Sequence, residues 1–182
     1  MSTIIQRLQR DHVNLARLLD VLEGQLATFH DGGSPDYDVI EDAMHYMTHY
    51  PDQNHHPLED AVFERLIRRD PEAVGLVEAL HGEHRTLFDM GAQFLRTLEA
   101  ALSESLFERE TLDSEARAYV AFHRAHVQRE ETQAFPRAVK ALDETDWAAL
   151  EAVNPSQADP LFGETVAEEY RDLADEIAAL SG

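Results

Sequence analysis

The sequence predicts an all-α protein, an up-down-up-down four-helix bundle with an additional C-terminal helix. Three observations support this prediction. Apolar residues recur at helical spacing through almost the whole chain, and no stretch shows the strict alternation of a half-buried strand. Four long amphipathic segments are joined by short connections, which favours antiparallel neighbours. The 182 residues are enough for a real core, because a chain of this length buries about 70% of its unfolded surface.

The first two helices are predicted over residues 3–29 and 37–70. Residues 31–36 contain two glycines and a proline, which end the first helix. Pro51 lies within the second helix, and a proline inside a helix removes one hydrogen bond and clashes with the preceding turn. We therefore expect a kink or a short break at Pro51.

The third helix is predicted from Pro71 to about residue 103, and the fourth over 110–142 with a bend at Pro136. Beyond the fourth helix the chain no longer continues the pattern of long amphipathic helices. Residues 1–143 are therefore expected to form the bundle, and residues 144–182 a C-terminal extension.

The extension is predicted to contain a loop at residues 154–160 followed by a helix. Because the apolar side chains of that helix fall on one stripe, we expect it to dock on the bundle. A free amphipathic helix for a partner is the alternative. The stripe consists of Val166, Tyr170, Leu173, Ile177 and Leu180.

Composition and charge exclude several classes of chemistry and partner. There are no cysteines, which excludes disulfides, thiolate-bound iron–sulfur clusters and thiol catalysis, so nitrogen and oxygen must bind any metal. The formal net charge of -21 argues against nucleic acid and anionic membranes as partners. No apolar stretch reaches the roughly 18 residues of a membrane span. Arg7, Arg10 and Asp11 interrupt the region where an export signal would be apolar, so we expect a cytoplasmic protein.

The ten histidines are the unusual feature of the composition, and each helix places at least one of them on its apolar face. A helix turns by about 100° per residue, so each polar residue can be assigned to a face. His12 lies at the centre of the apolar stripe of the first helix. His84 has the same position in the third helix, where Leu80 and Phe88 are among its expected neighbours.

The second and fourth helices each place a histidine and a glutamate, four residues apart, on the apolar face. These pairs are His55 with Glu59 and His126 with Glu130. The spacing puts the two side chains one turn apart, which is the separation needed to reach one shared centre. The acidic residue that follows each glutamate is expected to point outward.

Two buried glutamates need cations, because an unpaired carboxylate is costly to bury. No lysine or arginine lies at the centre of these stripes. Two divalent ions satisfy both glutamates if the carboxylates bridge them. Any one inward histidine is more often an ordinary core residue, and it is the combination over four helices that favours a metal site. The predicted metal ligands are His12, His55, Glu59, His84, His126 and Glu130.

The remaining histidines are weaker candidates. His81 and His123 lie about 60° from the centre of their faces, which favours hydrogen bonding to a ligand or a place at the rim of the site. His45 and His49 precede the expected kink, which changes their facing. His56 lies at the edge of its face. The sequence leaves open whether His56, His81 or His123 also contacts the metal.

The predicted ligands and their surroundings resemble the hemerythrin family, and more closely its HHE cation-binding branch. The resemblance covers roughly residues 3–140 and implies a four-helix bundle around a non-haem di-iron centre. Carried over residue by residue, it implies the same six ligands. The resemblance is carried by RDH at 10–12, HHPLEDAVF at 55–63, EH at 83–84 and HVQREETQAFP at 126–136.

The chain departs from the oxygen-carrying hemerythrins at two places. Those proteins have HxxxH on the third helix, whereas Phe88 stands four residues after His84. They also have HxxxxD on the fourth helix, whereas Glu130 here completes HxxxE and position 131 is Glu131. The set of four histidines and two glutamates is similar to the branch associated with nitrosative stress and iron–sulfur repair. Fewer histidines leave more open iron positions, which favours reactivity over stable oxygen carriage.

The resemblance implies a protein that holds two iron ions and binds or reacts with O2, H2O2 or NO in a stress response or in sensing. Nitrogen and oxygen ligands also accept manganese or zinc. The sequence leaves open whether the chain is an enzyme. The enzymatic hypothesis is a di-iron oxidoreductase with peroxidase- or catalase-like activity.

Two further hypotheses remain at this stage. One is an iron-handling or iron–sulfur repair protein, or a metal-responsive sensor module that acts through a protein partner. The other is a helical bundle without a native metal, which must satisfy its buried glutamates in another way. The substitution Glu59→Ala separates them, because it should abolish metal loading in a metal protein and matter little in a plain bundle.

Overall fold

The computed structural model describes residues 2–30, 33–103, 109–154 and 158–180. Within these residues the regular elements are helical and no strand occurs, so the predicted all-α class is confirmed. Residues 104–108 and part of the predicted loop at 154–160 lie outside the described ranges. The α-helices are α1 (Thr3–His30), α2 (Tyr37–Tyr50), α3 (His56–Arg69), α4 (Val74–Ser103), α5 (Arg109–Arg129), α6 (Phe135–Ala141), α7 (Glu144–Val153) and α8 (Arg171–Leu180).

Four long rods form the bundle. α2 and α3 make one rod, joined by a π-helical turn at Pro51–His55, and α5 and α6 make another, joined by a π-helical turn at Glu130–Ala134. α1 contacts α2 and α5, and α4 contacts the same two helices. The rods therefore close into a ring in which neighbours in sequence are neighbours in space, as expected for the predicted up-down-up-down bundle.

Each π-helical turn ends two residues before a proline. In the first turn, the N–H of His56 donates to the carbonyl of Pro51, five residues back, and Pro57 follows. Proline has no N–H, and its ring clashes with the carbonyl four residues back, so an extra residue in the turn relieves the conflict while the helix continues. The second turn ends in the same way ahead of Pro136. The predicted kink and bend are therefore π-helical turns.

Two separate apolar clusters fill the bundle, one on each side of a layer of polar side chains. In α1, Leu8 belongs to one cluster and Leu15 to the other, and His12 lies between them. α4 repeats this arrangement around His84. The polar layer is therefore enclosed by apolar packing. Its buried members include His12, His55, His56, Glu59, His84, His123, His126 and Glu130.

α7 packs on α3 and was not predicted from the sequence. A capping box starts this helix: the Asp143 side chain accepts from the N–H of Asp146, and the Asp146 side chain accepts from the N–H of Asp143. Arg69 of α3 donates to Asp146 at 2.7 Å and ties the two helices together. The sequence does not reveal α7 because the helix has only ten residues and a weak apolar stripe, so its apolar spacing gives no clear helical period.

α8 packs on α1 and α2. Leu173 and Ile177 are buried in this contact. In the segment before α8, Asp159 accepts a hydrogen bond from the Tyr46 hydroxyl of α2 at 3.0 Å. Leu180, which the sequence places on the same stripe, is 55% exposed, because α8 ends there, past its last buried residue.

We expect Asp143→Ala to lower the free energy of unfolding by about 1 kcal/mol, because two N–H groups at the start of α7 lose their acceptor. Glu144→Ala is the matched control, since Glu144 is exposed in the same turn. Denaturant unfolding of both variants measures the difference. Equal stabilities for the two variants would show that the cap does not stabilise the docked helix.

Candidate metal centre

The polar layer brings all six predicted ligands together. Glu59 and Glu130 lie at its middle with no exposed side-chain surface, and each carboxylate faces histidines from several helices. α1 and α4 contribute one of the predicted histidines each, and the two rods with π-helical turns contribute an HxxxE pair each. The side chains divide into two groups around the carboxylates.

The first group contains His12 and His55. The Nε2 of His55 lies 3.1 Å from Glu59 Oε1, and the Nε2 of His12 lies 3.4 Å from the same oxygen. The Nε2 of His12 also lies 3.3 Å from Glu130 Oε2. One oxygen of each glutamate therefore faces this histidine pair.

The second group contains His84 and His126. The Nε2 of His84 lies 3.3 Å from Glu59 Oε2 and 3.5 Å from Glu130 Oε1. The Nε2 of His126 lies 3.4 Å from Glu130 Oε1. The remaining oxygen of each glutamate therefore faces the second pair, and the two carboxylates connect both groups.

Metal ions fit this arrangement because its buried atoms lack hydrogen-bond partners among the described residues. Both oxygens of Glu59 and of Glu130 are such atoms, as are the Nε2 atoms of His12 and His84. Their separations match those of ligands that share an ion. Two ligands about 2.1 Å from one ion are about 3.0 Å apart at a right angle and about 3.4 Å apart at a tetrahedral angle.

The other ring nitrogen of each of these histidines, Nδ1, faces a carboxylate on the outer side of the layer. A carboxylate acceptor at Nδ1 places the proton there and leaves the Nε2 lone pair free to bind a metal. His56 shows the same feature. The Nδ1–oxygen distances are 2.8 Å for His12–Glu131, 3.2 Å for His55–Asp11, 3.3 Å for His84–Asp60, 3.0 Å for His126–Glu83 and 2.9 Å for His56–Asp52.

Two orientations differ from those expected. Glu131 was expected to point outward, but its side chain is only 29% exposed and contacts His12, because the π-helical turn that begins at Glu130 changes the facing of the next residue. Phe88 was expected beside His84 in the core, but it is 55% exposed. In this turn of α4, His84 therefore faces the polar layer and Phe88 faces solvent.

His56 is the inward histidine that the sequence analysis missed. It is 8% exposed, and it belongs with Glu59, His84 and His126 to a set whose potential ligand atoms all lie within 4.8 Å of one another. A signal was present in the sequence. Phe63, seven residues after His56, is fully buried, so the apolar face of α3 is wider than the stripe of Leu58, Val62 and Leu66 indicates.

The other four weak candidates lie outside both potential metal groups. His81 is partly exposed and lies 3.2 Å from Asp60. His123 is buried, but it forms no ion pair with a carboxylate of the described residues and belongs to neither group. His45 and His49 stack on each other at 4.0 Å near the surface of α2.

The pKa shifts of several residues in the site indicate that its buried carboxylates favour positively charged neighbours. Burial alone would lower the pKa of His84, but its acidic neighbours Asp60, Glu130 and Glu59 raise it to about 11. The same competition between burial and acidic neighbours raises the pKa of His12 and of His55. Despite its burial, the pKa of Glu59 lies well below its ordinary value because of these histidines. The buried carboxylates therefore favour positive charge on His12, His55 and His84.

We expect divalent ions to displace protons when they bind, and their affinity to fall as the pH is lowered. Acidic neighbours raise the pKa of His84 and of His12 and so favour their charged forms, which must lose a proton before Nε2 can bind a metal. Calorimetric titration with Mn²⁺ in buffers of different ionisation enthalpy measures the proton release. A binding enthalpy that is independent of the buffer would contradict the prediction.

We expect Asp11→Ala to weaken ion binding by about 10- to 100-fold, because His55 loses the acceptor that orients its ring. Asp20→Ala is the control, since Asp20 carries the same charge on α1 but pairs with Arg124 at the surface. Competition with a chelator measures both affinities. An equal effect of the two substitutions would show that Asp11 acts only through its negative charge and not by orienting His55.

Comparison with known proteins agrees with this geometry. The family model of the hemerythrin HHE cation binding domain matches residues 3–138. No curated protein and no solved structure matches the chain. No helix in the described part of the chain is long and apolar enough to cross a membrane. The family match covers most of the chain and contains all six predicted ligands, and the chain therefore belongs to the hemerythrin HHE cation-binding family.

Proposed function

We propose that the protein holds two iron ions and binds or reacts with oxygen, peroxide or nitric oxide. The observation that supports this proposal best is the placement of the two buried carboxylates. Each turns one oxygen toward His12 and the other toward His84, and neither has a hydrogen-bond partner among the described residues. Two bridged ions supply the missing positive charge.

Each ion has a set of protein ligands in this proposal. His12 and His55 hold the first ion with one oxygen from each glutamate, and His84 and His126 hold the second with the other oxygens. The ligands are imidazoles and carboxylates without thiolates, a set that suits non-haem iron and also accepts manganese or zinc. The resemblance to di-iron hemerythrins favours iron. A pair of irons bound in this way supplies redox change and open positions for a small ligand.

The surrounding residues keep the centre dry and its ligands in place. Phe135 stacks on the ring of His12 at 5.4 Å, and Leu58 and Phe63 are fully or almost fully buried on the same side. The outer carboxylates hold each imidazole with Nε2 turned inward. These contacts restrict the site to small molecules and reduce the movement that its side chains need to bind them.

A surface cavity beside His84 offers a route from solvent to the centre. Asp52, Asp60 and Asp89 line this cavity, together with Phe88. The route supports access for a diatomic molecule or peroxide. Its three carboxylates outnumber the one arginine of the lining, Arg85, and favour the entry of cations, so iron handling is the second candidate function.

The proposal is tested by purifying the chain from iron-supplemented cells and measuring its metal content and visible spectrum. We expect two irons per chain and a ferric absorption band that changes on exposure to oxygen, peroxide or nitric oxide. Glu59→Ala should lose the iron and the band. Glu78→Ala, which removes an exposed carboxylate of α4, should retain both.

Other results decide between the alternatives. Iron that is bound and released readily without a response to these ligands would favour iron handling. Zinc in place of iron, or a folded protein with no metal, would contradict the proposed function. Circular dichroism of each variant shows whether a loss of metal reflects a loss of helix.

A further inference from the structure

His56 shares three features with the four predicted histidine ligands. It is buried, its Nδ1 lies 2.9 Å from a carboxylate oxygen of Asp52, and its ring meets the rings of the centre. The His56 ring stacks on that of His84 at 4.2 Å and meets that of His126 edge-on at 6.3 Å. Its potential ligand atom falls in one set with those of Glu59, His84 and His126.

Burial alone does not produce this pattern. His123 is as deeply buried in the same layer, yet among the described residues its Nδ1 has neither a hydrogen-bond partner nor an ion pair with a carboxylate. His123 also falls outside both potential metal groups. A buried core histidine and a histidine with a ligand's contacts can therefore be told apart in this chain, and His56 is of the second kind.

The π-helical turn explains how two successive histidines both face inward. In a regular helix, successive side chains point about 100° apart. Here His55 closes the π-helical turn and faces Glu59 Oε1 at 3.1 Å, while His56 opens α3 and lies against His84. Asp52, within the turn, holds the His56 ring through Nδ1 and leaves its Nε2 free.

We propose that His56 is a fifth histidine ligand, which binds the same ion as His84 and His126. This inference rests on the proposed two-ion centre. It makes the two ions unequal in their number of histidine ligands. The ion beside His56 then has three histidines and two carboxylate oxygens, whereas the ion beside His12 and His55 has two histidines and two carboxylate oxygens. The second of these ions has more open positions for a small ligand.

The inference is tested by calorimetric titration of the metal-free protein with Co²⁺. We expect the wild-type protein to bind two ions, and His56→Ala to weaken one of them by about 10- to 100-fold or more while the other keeps its affinity. His123→Ala is the control for the loss of a buried histidine of the same layer. It should leave both affinities close to those of the wild type.

Asp52→Ala gives an independent test that leaves the core intact. We expect it to weaken the same ion as His56→Ala, because Asp52 orients the His56 ring. Asp89→Ala is its control, since Asp89 lines the same cavity with the same charge. Asp52→Ala decides the question if His56→Ala does not fold.

Three outcomes would overturn the inference. Unchanged affinities in His56→Ala or in Asp52→Ala would show that His56 is not a ligand. An equal weakening of both ions would contradict its assignment to one of them. A wild-type protein that does not bind two ions would instead overturn the proposed function, and the inference with it.

Discussion

The burial of two carboxylates between two apolar clusters is the constraint on which the rest of the structure depends. Glu59 and Glu130 have no hydrogen-bond partners among the described residues, and burying such charges without compensation is costly. Histidines from all four rods converge on these carboxylates. The polar layer therefore connects the four rods between the two apolar clusters. Metal binding in this family is the simplest way to supply the positive charge that the layer needs.

An outer ring of acids completes the centre and explains part of the strongly acidic composition. His56 and each of the four predicted histidine ligands meet one carboxylate at Nδ1, and the central glutamates or the other histidines on the inner side. The order carboxylate, imidazole, central oxygen is thus repeated around the layer. It orients each imidazole with Nε2 toward the centre and favours cations in the site.

The fold class and the convergence of the six predicted residues in one layer could be derived from the sequence, because regular helical periodicity assigns each residue to a face. The errors fall where periodicity fails. The π-helical turns ahead of Pro57 and Pro136 change the facing of nearby residues, so His56 and Glu131 were assigned to the wrong surroundings. α7 was missed because its start depends on a local capping box, which leaves no long-range pattern.

The central claim is that Glu59 and Glu130 bridge two ions. Anomalous X-ray diffraction from crystals of the iron-loaded protein tests it most directly. The account predicts two iron peaks in the polar layer, one beside His12 and His55 and one beside His84 and His126, with both carboxylates between them. A single peak, or peaks bound only by residues at the surface, would contradict it.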